Sequence, residues 1–240
     1  MLRIVSLIAL VTTLTGCTTL MPRQLWRHEK PAESKPTPSP ISQLGVALPA
    51  MKPGDERELN LIAADEMAKK GYWKEAIKHY KDAEAMAPEK AKLDSQLAPA
   101  LAGAGEYQES LLRYRRLMEA DAENSELINN FAWTLMESGD KAAAEATFRR
   151  ALAIDPKSER AAVNLGLLLA RQNRDDDAFA VLSTSIGEAT AHHNLGVVAI
   201  DMGDEQRAKH HFAKSAASSQ TPKTSHDFLA ALDTKDTSVR

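Results

Sequence analysis

From about residue 55 onward, apolar residues recur at three- and four-residue spacings, the period of helices with one buried face. A longer period runs through the same stretch. Gly71 is followed by Ala76, Tyr80, Ala83 and Pro88, and Gly105 by Ser110, Tyr114, Leu117 and Ala122. Gly139 is followed by Ala144, Phe148, Ala151 and Pro156, Asn173 by Ala178, Leu182 and Ser185, and Gly203 by Ala208, Phe212 and Ser215. The anchors 71, 105, 139 and 173 stand 34 residues apart, and the last step is 30, so the fourth unit is four residues short. A small residue stands seven positions before each anchor: Ala64, Ala98, Ala132, Gly166 and Gly196. Four positions before it stands Met67, Leu101, Leu135, Leu169 or Ala199.

The spacing predicts a helix–turn–helix unit. The Gly or Asn anchor ends a first helix in a left-handed cap. The small residue five positions on lets a second helix approach closely, and the aromatic residue or Leu four further on fills the groove. Pro88 and Pro156 end their units. This pattern resembles the tetratricopeptide repeat. It implies an all-α solenoid of about five units, residues 57–90, 91–124, 125–158, 159–188 and 189–220 of a repeat region 55–220. The second unit departs from it: Pro99 falls inside its first helix and is expected to kink that helix or shift its start. Residues 221–240, with Phe228, Leu229 and Leu232 after Ser225, predict a C-terminal helix that caps the apolar end of the array.

The beginning of the chain follows other rules. Arg3 precedes an apolar run from Ile4 to Leu14, too short to span a bilayer and matched to a signal-peptide core. It ends in Leu14-Thr15-Gly16-Cys17, which resembles the lipobox of bacterial lipoproteins. The resemblance implies cleavage of residues 1–16, acylation of Cys17 and anchoring by several acyl chains. Thr18, where Asp would favour inner-membrane retention, leans towards the periplasmic face of the outer membrane. Residues 17–54 then read as a tether: seven prolines from Pro22 to Pro53 interrupt it, and its Pro-rich stretch 33–40 suits polyproline II or disorder. Within it, Ile41 to Ala50 is more apolar and able to dock on the folded part.

Composition sharpens the exclusions. Ala accounts for 39 of 240 residues and aromatics for 5%, which favours closely packed helices over a β-sandwich or barrel. A net charge of -3 gives no basis for nucleic-acid binding, and the single cysteine leaves no intrachain disulfide or thiolate zinc site. No Gly-rich phosphate loop or Gly-x-Ser-x-Gly occurs. No cofactor, metal, small-molecule substrate or catalytic residue is expected.

In the repeat family, first helices line a concave face. Its sixth position here reads Gln96, Asn130, Asn164 and Asn194, carboxamides that both donate and accept and so suit the backbone of an extended peptide. The ninth and twelfth positions of the last three units read Trp133, Met136, Leu167, Ala170, Val197 and Ile200, an apolar stripe fit for a partner's amphipathic helix. The Lys of the family's dicarboxylate clamp is missing; the fifth positions are Leu61, Ser95, Asn129, Val163 and His193. His192-His193 and His210-His211 are adjacent pairs whose members point about 100° apart on a helix, expected on solvated surface. A contact of His193 with His210 across the hairpin would be the one route to a metal-dependent protein.

Lipobox, Pro-rich tether and repeats together resemble the repeat lipoproteins of tight-adherence (Tad) pilus loci, the pilotins of type IV pili that serve a secretin ring, and scaffolds of cell-wall hydrolases. All imply a membrane-anchored adaptor in the bacterial envelope that binds protein partners, a secretin or pilus-assembly component among them.

Overall fold

Each of the five anchors lies in the left-handed region, with φ of 77° at Gly71, 83° at Gly105, 97° at Gly139, 60° at Asn173 and 78° at Gly203. The residue after each anchor donates its N–H back to the residue four before it: Tyr72 to Met67, Glu106 to Leu101, Asp140 to Leu135, Arg174 to Leu169 and Asp204 to Ala199, at 2.8–3.1 Å. This is the Schellman closure of a helix end. The apolar residue four before each anchor thus also carries the carbonyl that the cap satisfies.

The computed structural model describes residues 53–88, 92–218 and 222–237. The signal segment, Cys17 and the Pro-rich tether lie outside the described residues. Among the described residues there are eleven helices and no strand: α1 (Pro53–Lys69), α2 (Trp73–Ala85), α3 (Asp94–Ala104), α4 (Tyr107–Ala120), α5 (Ser125–Ser138), α6 (Lys141–Ile154), α7 (Glu159–Ala170), α8 (Asp175–Ile186), α9 (Glu188–Asp201), α10 (Glu205–Ala216) and α11 (Lys223–Thr237). No helix among them is long and apolar enough to cross a membrane. The chain divides into two compact units between Asp140 and Lys141.

In the unit ending at Asp140, α1 pairs with α2 and α3 with α4, and α5 follows against α4. Its core joins Ala64, Ala76, Ile77, Tyr80, Leu97 and Leu101. Pro99 does not end α3, which runs through it from Asp94 to Ala104, but the helix starts late: it has 11 residues before its anchor Gly105, against 14 in α5 before Gly139. Pro99 and Ser95 are exposed. The carbonyl of Ser95, deprived of its helical partner by the proline, therefore sits where water can reach it.

The same unit contains a charge cluster. Arg113 on α4 is buried and donates to Asp94 Oδ1 at 2.9 Å, to Glu109 Oε1 at 3.1 Å and to Glu84 Oε1 at 3.2 Å. Arg116 holds the other side of Asp94 at 2.6 and 2.9 Å. The two guanidinium groups, Arg116 foremost, hold the Asp94 carboxyl below its ordinary value.

In the unit beginning at Lys141, the hairpins α7–α8 and α9–α10 close on glycines. A Cβ at Gly166 would fall 2.6 Å from Leu182 Cγ, and one at Gly196 2.7 Å from Phe212 Cε1. These are the small residue before the anchor and the groove-filling residue after it, now face to face. The four-residue shortfall of the fourth unit is located as well. Gly187 alone separates α8 from α9, at φ 80° and ψ 157°, a region that is essentially glycine's. The tail forms α11 and packs on α10: Leu232 is buried, and Phe228 stacks on Phe212 with ring centroids 4.9 Å apart.

Candidate interaction sites

The candidate peptide-facing residues divide by burial. In the compact unit ending at Asp140, Gln96, Asn130 and Trp133 are half-exposed, whereas Met136 is buried. Gln96 Oε1 accepts from Ser95 Oγ at 2.6 Å, and Asn130 Oδ1 accepts from Asn129 Nδ2 at 3.3 Å. Neighbouring side chains thus fix the orientation of both carboxamides. Next to Asn130, Phe131 meets the Tyr114 ring edge-on at 6.4 Å and carries Arg115 over its face at 5.9 Å.

In the compact unit beginning at Lys141, Asn164, Leu167, Ala170, Asn194 and Val197 are buried, and Ile200 is half-buried. The physical reason is the position of their helices. Helix α7 has α6, α8 and α9 against it, and α9 has α7, α8 and α10. A helix enclosed on several sides is apolar nearly all round. In this conformation these five residues are packing residues, and of the stripe expected on α7 and α9 only Ile200 is partly open to solvent. The carboxamide ladder likewise reaches solvent only at Gln96 and Asn130.

The histidines depart furthest from expectation. The contact of His193 with His210 does not form. His192 on α9 meets His211 on α10 instead, Nδ1 to Nδ1 at 3.2 Å, while His193 Nδ1 meets Ser225 Oγ of α11 at 2.8 Å. The 100° between neighbours on α9 sends the two rings to different helices. Far from solvated, His193 and His211 are buried.

His193 ends a hydroxyl chain. Ser215 Oγ donates to the Ala189 carbonyl at 2.8 Å, and the Ser225 hydroxyl lies 2.9 Å from Ser215 Oγ. With the Ser215 proton so used, Ser225 donates to Ser215 and accepts from His193 Nδ1–H. Burial then depresses the His193 imidazole to about 4, keeping it neutral.

His211 Nε2 lies 3.1 Å from Asp175 Oδ2, and Asp175 is also gripped by the Arg207 guanidinium from Nε and Nη2. The bonding order assigns the tautomers. Asp175 as carboxylate only accepts, so His211 donates from Nε2. Neutral His211 then accepts at Nδ1, and His192 donates there. That leaves His192 Nε2 unprotonated. Burial foremost, then the charges of His211, Lys214 and His210, lower the His192 imidazole to about 4. Burial also lowers His211, against the pull of Asp175. Both His211 nitrogens and His192 Nδ1 are engaged in these bonds, and among the described residues no group of three His, Cys, Asp or Glu is arranged to hold a metal ion. The chain lines a cavity of about 490 Å³ between α8, α9 and α10, with Phe179 stacked on His192 at 4.4 Å.

Residues 135–195 match the model of the tetratricopeptide repeat. No curated protein matches the chain in sequence. Among solved structures, a tetratricopeptide repeat protein from Parabacteroides merdae is 18% identical, covers 75% of this chain and 73% of its own, and aligns with a TM-score of 0.54. A thermophilic TPR protein of Thermus thermophilus is 15% identical over 73% of this chain and 98% of its own, with a TM-score of 0.52. MamA from Desulfovibrio magneticus is 19% identical over 69% and 96%, also at 0.52. At these identities the likeness is one of fold, and the fold is the tetratricopeptide-repeat solenoid.

Proposed function

We propose that this chain is a lipid-anchored adaptor of the bacterial envelope that presents its first-helix residues to a peptide or helix of a pilus, secretion or envelope-assembly partner, without turnover. The observation that carries the reading is the helix-hairpin repeat with Gln96, Asn130 and Trp133 half-exposed on α3 and α5. Repeat folds of this kind work through surfaces rather than catalytic pockets. A bulky indole beside fixed carboxamides offers one apolar anchor and a backbone-pairing partner. The anchoring half of the proposal rests on Cys17 in its Leu-Thr-Gly-Cys setting behind a short apolar run.

Affinity purification from the native envelope tests the adaptor. Substituting Trp133→Ala, Asn130→Ala and Gln96→Ala together is expected to lose the co-purifying partner while the helical content stays unchanged. Full retention of every partner would overturn this surface. Fractionation tests the anchor: Cys17→Ala is expected to leave the membrane fraction, and equal recovery there would refute lipidation.

A further inference from the structure

The cavity between α8, α9 and α10 shares no residue with the first-helix surface just described, and its lining has a chemistry of its own. Two carboxylates face it, Asp175 and Asp176. Asp175 is already neutralised by the Arg207 fork and the His211 N–H. Against them stand Lys214 and His210, both exposed, together with His192 and His211. The Phe179–His192 stack gives the cavity an aromatic wall. With Asp175 paired to Arg207 and Asp176 set against Lys214, the lining carries no surplus fixed charge, and its imidazole pair, with one N–H on each ring, is neutral.

We propose that this cavity binds a carboxylate side chain of an acidic partner peptide and takes up one proton as it does so. The tautomer chain explains how. His192 Nε2 is the vacant base of the series Asp175, His211, His192, and it can be protonated without breaking either hydrogen bond behind it. A carboxylate beside Lys214 supplies the counter-charge that the free cavity lacks, so the imidazolium becomes stable there. On protonation His192 turns from acceptor to donor towards that carboxylate, a charge-assisted bond. A second proton on the pair is disfavoured, since His211 Nδ1 would then face the His192 Nδ1–H donor. The ligand thus exchanges a solvated carboxylate for contacts with Lys214 and one imidazolium, and the cost of charging the imidazole falls as the pH falls. The known dicarboxylate clamp of such repeats uses first-helix positions; this cavity uses the second helices α8 and α10 with His192 between them.

The test is isothermal titration of the full-length chain with the blocked peptide acetyl-Glu-Gly-Glu-Gly-Glu-amide in low salt, at pH 7.5 and 6.0, in two buffers of different ionisation enthalpy. Inorganic phosphate is titrated in parallel. Expected are one saturable site, uptake of about one proton per site, and affinity rising by at most about tenfold per pH unit on acidification. His192→Asn keeps an N–H for His211 Nδ1 but cannot titrate; it is expected to fold, to bind more weakly at pH 6.0 and to lose the pH dependence. Lys214→Gln is expected to weaken binding at both pH values. Absence of saturable heat, unchanged proton uptake in His192→Asn, or phosphate binding as tightly as the peptide would each overturn the proposal. Because Trp133, Asn130 and Gln96 are untouched, failure here leaves the first-helix reading standing, and the reverse holds too.

Discussion

Gly196 on α9 lies directly under the ring of Phe212 on α10, where an added Cβ would come 2.7 Å from Cε1 and 2.8 Å from Cδ1. Phe212 is fully buried and Phe228 stacks on it with ring centroids 4.9 Å apart, so it has little room to give. Gly196→Ala gains up to about 1 kcal/mol of helix propensity but overpacks the hairpin at about 1–3 kcal/mol. The net expectation is a loss of up to about 2 kcal/mol, read as a lower urea midpoint with unchanged slope. Adding Phe212→Leu makes room and is expected to reverse part of the loss, a non-additivity that a double-mutant cycle measures.

The one-residue link at Gly187 gives a sharper backbone test. Its φ of 80° and ψ of 157° exclude side chains, so Gly187→Ala is expected to cost about 1–3 kcal/mol. Asn does not rescue this position, because Asn tolerates the left-handed helical region and not this one. At Gly105, with φ of 83° and ψ of 10°, Asn is expected to restore much of what Ala loses, as Asn173 already occupies the equivalent cap at φ 60°. Thermal melts of the four variants check the contrast.

Much of this architecture was legible in the sequence because it is local. The caps, the small residues and the groove-filling rings sit at fixed offsets within 34 residues, and each offset has one physical cause. The missing four residues announced a short link, though not that Gly187 alone would form it. The charge and histidine clusters were not legible. Arg113 stands 29 residues from Glu84 and 19 from Asp94, and nothing in its neighbourhood marks it as buried. His192 and His211 looked like solvated surface because adjacent histidines carry no periodic signal, and their partners come from three helices. The carboxamide ladder rests on position in the repeat alone. Position does not say that α9 is enclosed, so Asn194 reads like Asn130 in sequence and differs from it in exposure.

The Arg113 cluster makes a prediction of its own. Removing the guanidinium leaves Asp94 with Arg116 and Glu109 with Lys81, and takes from Glu84 the cation it pairs with near the core. Breaking a buried pair by deleting one partner costs about 3–5 kcal/mol, and the partial exposure of Glu84 and Glu109 puts Arg113→Ala near the low end, about 3 kcal/mol. Arg113→Lys keeps the charge but serves fewer acceptors at once, so an intermediate loss is expected. Urea unfolding of both variants at pH 7 checks the order; equal stability of wild type and Arg113→Ala would show the cluster to be energetically idle.

Stability should also respond to pH through His193. Its folded imidazole is held at about 4 by burial, whereas in the unfolded chain it titrates near its ordinary value of 6.5. Above that value neither state binds the proton, and His193 gives no pH dependence. As the pH falls from 6.5 towards 4, the unfolded chain takes up a proton that the folded one refuses, and folding weakens by as much as about 1.4 kcal/mol per pH unit. His193→Asn keeps an N–H for Ser225 but cannot titrate. The difference in unfolding free energy between wild type and this variant is therefore expected to change steadily over that window and to be flat above it. His192 and His211 are present in both chains and cancel from the difference. Ser225→Ala separates the two causes available to the histidine: it removes the hydrogen bond at about 1 kcal/mol while leaving the ring buried, so the pH slope should survive. A slope that vanished in Ser225→Ala would show that the serine, rather than burial, keeps His193 neutral.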